Sequence, residues 1–373
     1  MSNKQIRILG CRGIPAAHGG FETFAEHLAL YLVSHGWRVV VYCQEVGTGP
    51  VFEDTWQGVE RIHIPVAQQG PKGTIVFDWK VTLHSAQFGD LCLTLGYNTA
   101  IFCTLLRLKG VPNLINMDGI EWQRQKWGAV AKTWFWLNDW AGCWLGNHLV
   151  ADHPEIKAHL STRVAAAKIT MIPYGSDRIE SADADTLAPY GLAPRSYAIL
   201  IARAEPENSI LEVVRAWSRM RREVKLIILG NYDPSHAYQQ MVKGVASEEV
   251  IFPGAIYDRK IVNALRYHSL FYIHGHQVGG TNPSLVEALG AGNAVLAHDN
   301  RFNHWVAGPG AAYFHNEAEC ADRLVALLGD SAKLGRMSEA SLERHGAMFA
   351  WEKVLAEYEV LLARWVSAEN GRR

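Results

Sequence analysis

The sequence predicts an α/β protein with two doubly wound parallel sheets, one in each of two domains. The chain has 373 residues, 49% of them hydrophobic and 20% charged, which is too long for one ordinary core and suits two. Short apolar runs alternate with helical patterns, as in parallel βαβ units. The alternation forms two series, separated at 181–196 by a segment rich in Ala, Asp and Pro that is typical of an exposed connection.

The first series begins with a strand at 6–11, a Gly-rich loop and a helix at 21–36 that stops at a glycine. Its further strands are predicted at 37–43, 61–65, 91–95, 114–117 and 149–151. The second series has a helix at 213–220 and strands at 197–202, 225–229, 250–252, 270–274 and 294–297. Strands that alternate with helices in this way indicate two parallel sheets.

The last helical pattern places large residues on one face, namely Trp351, Leu355, Tyr358, Leu361, Leu362 and Trp365. This helix follows the second series without belonging to it, so we expect it to cross back to the first domain. The predicted domains are therefore residues 1–180 together with 351–373, and residues 181–350.

Charge and composition exclude several classes of protein. Lys and Arg number 36 against 37 Asp and Glu, so binding to nucleic acid is not expected. The sequence shows neither a signal-peptide pattern nor an 18-residue apolar run, which predicts a cytoplasmic protein without a membrane span. The six cysteines form no CxxC pair, and we interpret them as buried, reduced thiols rather than disulfides or zinc ligands.

Gly19 and Gly20 lie between the first strand and its helix. Adjacent glycines let backbone amides approach an anion at a helix N-terminus, where the helix dipole is positive. A plain tight turn would use the same residues, and the GxGxxG spacing of dinucleotide sites is missing.

A stronger pattern follows the predicted strand at 270–274. After a loop at 275–280, Thr281 and Asn282 have the character of an N-cap, and Pro283 suits the first helical position. These residues predict an anion pocket. Glu287 lies one turn inside the helix, where its carboxylate would reach the ribose hydroxyls of a nucleotide; the alternative is a charge that only favours the helix dipole.

Arg203 follows the strand at 197–202, at the carboxyl edge where open α/β sheets bind ligands. Its fork of donors suits a diphosphate. The alternative is an interdomain salt bridge to Glu205 or Glu207.

Several motifs together resemble one family. They are Ile-Leu-Gly-Cys-Arg-Gly-Ile-Pro at 8–15, Gly-Gly-Phe-Glu-Thr-Phe at 19–24, Asp-Gly-Ile-Glu-Trp-Gln-Arg at 118–124, Ile-Pro-Tyr-Gly at 172–175, Ala-Arg-Ala-Glu-Pro-Glu-Asn at 202–208 and Gly-Gly-Thr-Asn-Pro-Ser-Leu-Val-Glu-Ala-Leu at 279–289. In this order they resemble the retaining family 4 glycosyltransferases of GT-B fold, and in particular the bacterial rhamnosyltransferase-like branch. The resemblance implies two Rossmann-like domains facing a cleft.

The resemblance also implies roles for individual residues. A nucleotide sugar, UDP- or dTDP-linked, would be bound mainly by the second domain and an acceptor mainly by the first. Arg203 would hold the diphosphate, Glu287 the ribose, and the amides of Gly280, Thr281 and Asn282 the phosphates or sugar; Gly19 and Gly20 would close over the diphosphate. No protein nucleophile is implied, so catalysis would consist of positioning and charge stabilisation, with Arg203 as its main residue.

The chain departs from the family pattern at two positions. Gly279 stands where the motif has its first Glu, and Asn208 stands where a Lys usually follows the phosphate Arg. His276 is then a candidate for neutralising phosphate. Asp118 occupies the region where relatives place a His beside the sugar, and we expect a sugar or acceptor contact there, with a helix cap as the alternative. The His274–His276 pair has no evident third ligand, so neither a metal site nor a cofactor besides the donor is expected.

Residues 122–144 hold six of the 13 tryptophans. Core packing is one explanation, and an interfacial surface for a membrane or a lipid-linked acceptor is the other. The sequence thus predicts a glycosyltransferase of bacterial surface polysaccharide synthesis. A GT-B sugar-nucleotide epimerase and a catalytically weak sugar-nucleotide-binding subunit are the alternatives.

Overall fold

A computed structural model of the protein describes residues 4–17, 19–124 and 126–370, with the backbone alone for 367–370. The chain forms two compact units, Met1–Pro173 with Trp351–Arg373, and Tyr174–Ala350. The sequence predicts the boundary between residues 180 and 181, whereas in the structure the first segment of the first unit ends at Pro173 and the second unit begins at Tyr174. The last three residues of the predicted terminal helix, 371–373, lie outside the described part of the chain.

The first unit contains a sheet that is parallel except for one edge hairpin. Among the described residues its strands are β1 (Gln5–Leu9), β2 (Arg38–Val46), β3 (Phe52–Trp56), β4 (Val59–Val66), β5 (Leu91–Leu95), β6 (Asn113–Asn116), β7 (His148–Ala151) and β8 (Ile169–Met171). Their order is β3-β4-β2-β1-β5-β6-β7-β8, and only β3 runs antiparallel to its neighbour. The inner strands are apolar because helices cover both faces of the sheet.

Five helices of this unit connect the strands: α1 (Gly20–Ser34), α2 (Gly70–Ser85), α3 (Cys103–Leu108), α4 (Ala129–Leu145) and α5 (Pro154–Ser161). Helix α1 buries one stripe of apolar side chains, which includes Phe24, Leu28 and Leu32. The next three helices lie in a row, since α2 contacts α3 and α3 contacts α4.

The second unit contains a wholly parallel sheet. Its strands are β9 (Tyr197–Ile201), β10 (Lys225–Leu229), β11 (Val250–Gly254), β12 (Phe271–His274), β13 (Ala294–His298) and β14 (Ala312–Phe314), in the order β11-β10-β9-β12-β13-β14. Its helices are α6 (Ile210–Ser218), α7 (Ala237–Gly244), α8 (Arg259–Tyr267), α9 (Pro283–Gly290), α10 (Arg301–Ala307), α11 (Glu317–Leu328) and α12 (Ser331–Met348). Apolar cores lie on both faces of the sheet, around Trp217 and Phe271 on one and around Tyr272 and Leu289 on the other.

The last helix, α13 (Trp351–Asn370), belongs to the first unit. Tyr358 lies at its centre, fully buried, with its ring centroid 4.7 Å from that of Phe24. The Tyr358 hydroxyl accepts a hydrogen bond of 2.9 Å from Asn116 Nδ2. The predicted apolar face is buried at Trp351, Leu355, Tyr358, Leu361 and Leu362, whereas Trp365 is only half-buried beside His148.

Two details differ from the sequence interpretation. The segment 181–196 is not simply an exposed connection, because a 3-10 helix at Ala184–Tyr190 buries Leu187 completely in the second core. The hairpin strand β3 was not predicted, since four of its five residues are exposed and carry no apolar run. All six cysteines are buried free thiols, as expected. No helix within the described residues has the length and apolar character to cross a bilayer.

Candidate functional site

The second sheet reverses its strand order between β9 and β12. From β9 the chain builds outward to β10 and β11, and it then returns to place β12 on the other side of β9. Doubly wound sheets bind ligands at the carboxyl ends of the strands that flank such a switch point. The loops that leave β9 and β12 carry most of the residues predicted from the sequence to bind the donor.

Arg203 lies two residues beyond β9, and its side chain is exposed. Within the described chain its guanidinium has no ion-pair or hydrogen-bond partner, so the alternative of a salt bridge to Glu205 or Glu207 is wrong. The loop itself is fixed, because the Arg203 carbonyl accepts hydrogen bonds of 2.8 Å from Asn208 Nδ2 and from the Glu205 amide. An anchored backbone with an uncommitted guanidinium is suited to binding an anionic ligand.

Asn208 is 3% exposed, and its amide is used within the protein. By donating to the Arg203 carbonyl it orients the Arg203 loop. The β12 loop packs directly on this segment, since Gln277 donates from its amide to the Glu207 carbonyl at 2.9 Å and from Nε2 to Ser209 Oγ at 3.0 Å. Gly275 makes the packing possible, because a Cβ at this position would lie 2.1 Å from the Asn208 carbonyl oxygen.

Replacing Gly275 with Ala is expected to separate the two loops. The new Cβ meets backbone that cannot swing aside, so we expect a loss of about 1–3 kcal/mol in the free energy of unfolding and weaker nucleotide binding. Urea unfolding and calorimetric titration with UDP measure both effects. Gly335→Ala, in open space on α12, is the control and is expected to be neutral or stabilising. Equal stability of the two variants would contradict the expectation.

The N-terminus of α9 has the predicted capping arrangement. Asn282 is the N-cap, its Oδ1 accepts a hydrogen bond of 3.0 Å from the Ser284 amide, and Pro283 occupies the first helical position. In the described structure the amides of Gly280 and Asn282 find no acceptor. Together with the helix dipole they form an anion-binding arrangement. Gly279 has a φ of 153°, a conformation that disfavours a side chain at the position where the family motif has Glu.

Glu287 lies on the first turns of α9 and has a partner that the sequence did not suggest. Its carboxylate Oε2 forms an ion pair with Nη2 of Arg266 on α8. The Arg266 side chain is 5% exposed and that of Glu287 is 34% exposed. Glu287 is therefore the counter-ion of a buried arginine, and Oε2 carries that ion pair. The ion pair orients the carboxylate. This is a structural role that neither sequence-based interpretation, a ribose ligand or a charge that favours the helix dipole, included.

A buried polar network continues from Arg266 towards the switch point. Arg266 Nη2 donates to Ser284 Oγ at 3.2 Å, and Ser284 Oγ lies 2.8 Å from the Tyr272 hydroxyl. Burial raises the pKa of Tyr272 to about 12, so the hydroxyl stays protonated. Tyr272 also lies 3.3 Å from His274 Nδ1. The network connects α8 and α9 with the end of β12, where the loop of the candidate site begins.

His274 and His276 stack face to face, with ring centroids 4.3 Å apart and planes inclined by 12°. Burial lowers the pKa of His274 well below its usual value, and the charges of His276 and His298 lower it further. His274 is therefore a neutral packing residue, whereas His276 is only half-buried. Within the described residues no group of three metal-ligating side chains occurs.

The first unit holds the other predicted residues. Gly19 is the N-cap of α1 with a φ of 85°, a conformation that favours glycine, and Gly20 begins the helix. The Glu22 carboxylate occupies the same N-terminus, where its Oε1 accepts a hydrogen bond of 3.0 Å from the Arg12 amide. The helix start thus already has one carboxylate close to its positive end.

Asp118 follows β6 and adopts a positive φ of 51°. Its amide donates a hydrogen bond of 3.0 Å to Asn116 Oδ1, which holds the turn. The next 3-10 helix begins after Ile120 rather than Asp118, so the helix-cap alternative is wrong. Left-handed backbone is tolerated by Asp and is concentrated at functional sites.

Sequence reasoning missed Asp78 of α2, which lies near the carboxyl ends of β1 and β5. Thr99 Oγ1 donates to Asp78 Oδ2 at 2.8 Å. Burial raises the pKa of Asp78 to about 6, although the Thr99 hydrogen bond and the charge of Arg12 act in the opposite direction. The only signal in the sequence is a single acidic residue within the otherwise uncharged or basic stretch 70–85.

This raised pKa predicts a pH-dependent stability. The neutral carboxyl is favoured by folding, so its contribution is complete below the unfolded pKa of 3.8 and is lost as the pH rises through about 6. Asp78→Asn is therefore expected to be about 3 kcal/mol more stable than the wild type at pH 7 and nearly equal to it near pH 4. Urea unfolding between pH 4 and 7 tests this, with exposed Asp322→Asn as control. A difference independent of pH would refute it.

Comparison with known families gives two adjoining matches. Residues 3–177 match a family described as a domain of unknown function (DUF1972), and residues 195–330 match the family of glycosyl transferases group 1. The second match contains Arg203, the α9 N-terminus and Glu287. A search of curated proteins finds no match.

Solved structures with similar folds cover the whole chain. Sucrose-phosphate synthase from Thermosynechococcus elongatus is 18% identical, with a TM-score of 0.83 over 98% of this chain and 100% of that one. Trehalose 6-phosphate synthase from Burkholderia multivorans is 13% identical, with a TM-score of 0.75 over 100% and 99%. HepE from Anabaena, solved with UDP and glucose, is 14% identical, with a TM-score of 0.75 over 97% and 100%. Residues 195–330 therefore form a glycosyl transferases group 1 domain, and the chain is a glycosyltransferase with the GT-B fold.

Proposed function

We propose that the protein is a retaining glycosyltransferase of family 4, in its bacterial rhamnosyltransferase-like branch. It transfers a hexose or deoxyhexose from a UDP- or dTDP-linked donor to a glycan or lipid-linked saccharide, in the cytoplasm, during surface polysaccharide synthesis. One observation carries the proposal: uncommitted Arg203, the α9 N-terminus and anchored Glu287 lie around the switch point of a single sheet. HepE, a structural neighbour, was solved with UDP.

The proposed reaction breaks the bond between the anomeric carbon and the diphosphate oxygen and forms a bond to an acceptor oxygen on the same face. The leaving diphosphate takes the acceptor proton. Arg203 and the amides of Gly280 and Asn282 stabilise the charge that develops on the phosphate, which is the main source of rate enhancement when no protein nucleophile takes part. His276 contributes from the β12 loop, while Asn208 acts through the Arg203 backbone.

On the first unit, Gly19, Gly20 and Asp118 follow β1 and β6. These strands contribute to the carboxyl edge of the first sheet, where we place the acceptor. Thr281 is buried beside the α9 N-cap.

A nucleotide-sugar screen tests the proposed function. A ligand that binds only the native state raises the melting temperature, so UDP, dTDP and their sugars are compared by thermal shift. The product formed from the stabilising donor without acceptor is then identified. Slow hydrolysis supports the transferase, an epimer supports the epimerase, and no turnover with intact binding supports a binding subunit. The absence of any nucleotide-dependent shift would refute all three.

A further inference from the structure

The row of helices α2, α3 and α4 has an unusual outer surface. Large apolar side chains that are more than a third exposed recur along it, at Ile75, Trp79 and Leu83 on α2 and at Val130, Leu137 and Trp144 on α4. On α2 they recur every four residues and on α4 every seven, so each set forms one stripe along its helix. We call these six residues the apolar face.

The inward-facing side chains of α2 and α4 are already buried in the core. Helix α2 buries Phe77 and Val81 in the core, and α4 buries Ala141 and Cys143. The outer stripes are therefore additional to the surface that folding requires. The second unit has no comparable concentration among its described residues, where the exposed large hydrophobics Met220, Met241, Tyr257 and Val325 lie on separate elements or loops. A concentration of exposed apolar side chains marks an interaction surface.

The exposed charges on these three helices have one sign. Lys72, Arg107 and Lys109 are exposed on the same row of helices. The two acidic residues of the segments 70–85, 100–110 and 126–145 are directed inward: Asp139 is 2% exposed and binds Arg163 at 2.7 Å, and Asp78 accepts from Thr99. The surface thus combines tryptophan, aliphatic and basic side chains without an exposed carboxylate.

We propose that the apolar face docks the protein on a membrane surface that contains anionic lipids. Tryptophan and aliphatic side chains enter the boundary between headgroups and acyl chains, while Lys and Arg meet lipid phosphates. A second copy of the chain fits less well, because a twofold contact would place this basic surface against itself. Docking is peripheral, since none of the described helices can span a bilayer.

The tryptophans of the 122–144 segment divide between two roles. Trp122 donates to Asp139 Oδ2 at 2.9 Å and Trp134 donates to the Asn98 carbonyl at 2.8 Å, so these rings stabilise the fold. Trp136 and Trp144 are 44% and 62% exposed. The inference rests on the proposed function in one respect: a docked enzyme would favour the lipid-linked form of the acceptor over a free glycan.

Vesicle sedimentation of the full chain tests the proposal without donor or acceptor. The wild type is expected to bind vesicles of phosphatidylcholine with phosphatidylglycerol, to bind pure phosphatidylcholine at least roughly tenfold more weakly, and to lose affinity in high salt. Leu137→Ser with Trp144→Ser is expected to weaken binding roughly tenfold or more. Met220→Ser with Met241→Ser, which removes exposed side chains of the second unit, is the matched control and should bind as the wild type does.

A second variant tests the charge independently of the apolar residues. Lys72→Gln with Lys109→Gln is expected to reduce binding to the anionic vesicles and to flatten its salt dependence. The proposal is overturned if the wild type does not bind, if it binds both vesicles equally, or if the apolar-face variant binds unchanged. A dimer that dissociates in that variant, without vesicle binding, overturns it in favour of a second copy. UDP titration of the same variants should match the wild type, so failure of docking and failure of the proposed function are distinguishable.

Discussion

Arg203→Ala is expected to lower the rate of transfer by about 10²-fold or more while leaving the fold intact. The guanidinium is exposed and has no partner in the described chain, so its removal breaks no internal contact and should change stability by no more than about 0.5 kcal/mol. The substitution removes a charge-assisted hydrogen-bond donor to the leaving diphosphate. Loss of one preorganised donor lowers a rate by about 10²-fold or more.

Steady-state transfer and urea unfolding, measured on the same preparations, check both parts of this expectation. Arg221→Ala is the control, because Arg221 is an exposed arginine of the same unit away from the switch point. Near-native turnover of Arg203→Ala would show that other groups hold the phosphate. His276 on the β12 loop would then be the next residue to replace.

Glu287→Gln is expected to lower the free energy of unfolding by about 2–3 kcal/mol. The reason is that Glu287 is the counter-ion of Arg266. Without it, the buried guanidinium keeps Ser284 Oγ, while its Nε has no hydrogen-bond partner. Removing one partner of a buried pair costs about 3–5 kcal/mol, and we expect less here because Glu287 is partly exposed.

A double variant separates stability from nucleotide binding. Arg266→Met with Glu287→Gln removes both charges and should recover most of the lost stability. If Glu287 also accepts hydrogen bonds from ribose, the double variant should bind UDP and dTDP more weakly than the wild type by about 1–3 kcal/mol. Calorimetric titration decides between the two roles. Native affinity in the double variant would show that Glu287 acts only as counter-ion, and equal stability of all three proteins would contradict the ion-pair argument.

The elements that the sequence predicted well are those with a strong local signal. Apolar runs such as 91–95 and 225–229 became buried strands at those bounds, because an inner parallel strand is apolar on both sides. Asn282 and Pro283 correctly predicted where α9 begins, because helix capping depends on a few adjacent residues. The exposed strand β3 has no such pattern, and its place depends on pairing with β4.

The candidate site was predictable only in part, because some of its contacts join residues that are distant in the sequence. Position after a strand places Arg203 and the α9 N-terminus at the carboxyl edge, but the partner of Glu287 lies 21 residues earlier on another helix, at Arg266. Nothing local distinguishes that arginine from its neighbours. Likewise, the burial that raises the pKa of Asp78 comes from the assembled sheet edge.

Because helix α13 lies at the end of the chain, it determines when the first unit can finish folding during synthesis. Most of the first unit is synthesised early. Phe24 and Asn116 nevertheless lack their contacts with Tyr358 until that residue leaves the ribosome, more than two hundred residues after Asn116. Domains tend to fold as they emerge, so the second unit can fold before α13 is available to complete the first. The unit that is synthesised first is therefore completed last, because Phe24 has no Tyr358 ring to pack against until the C-terminal helix has been made.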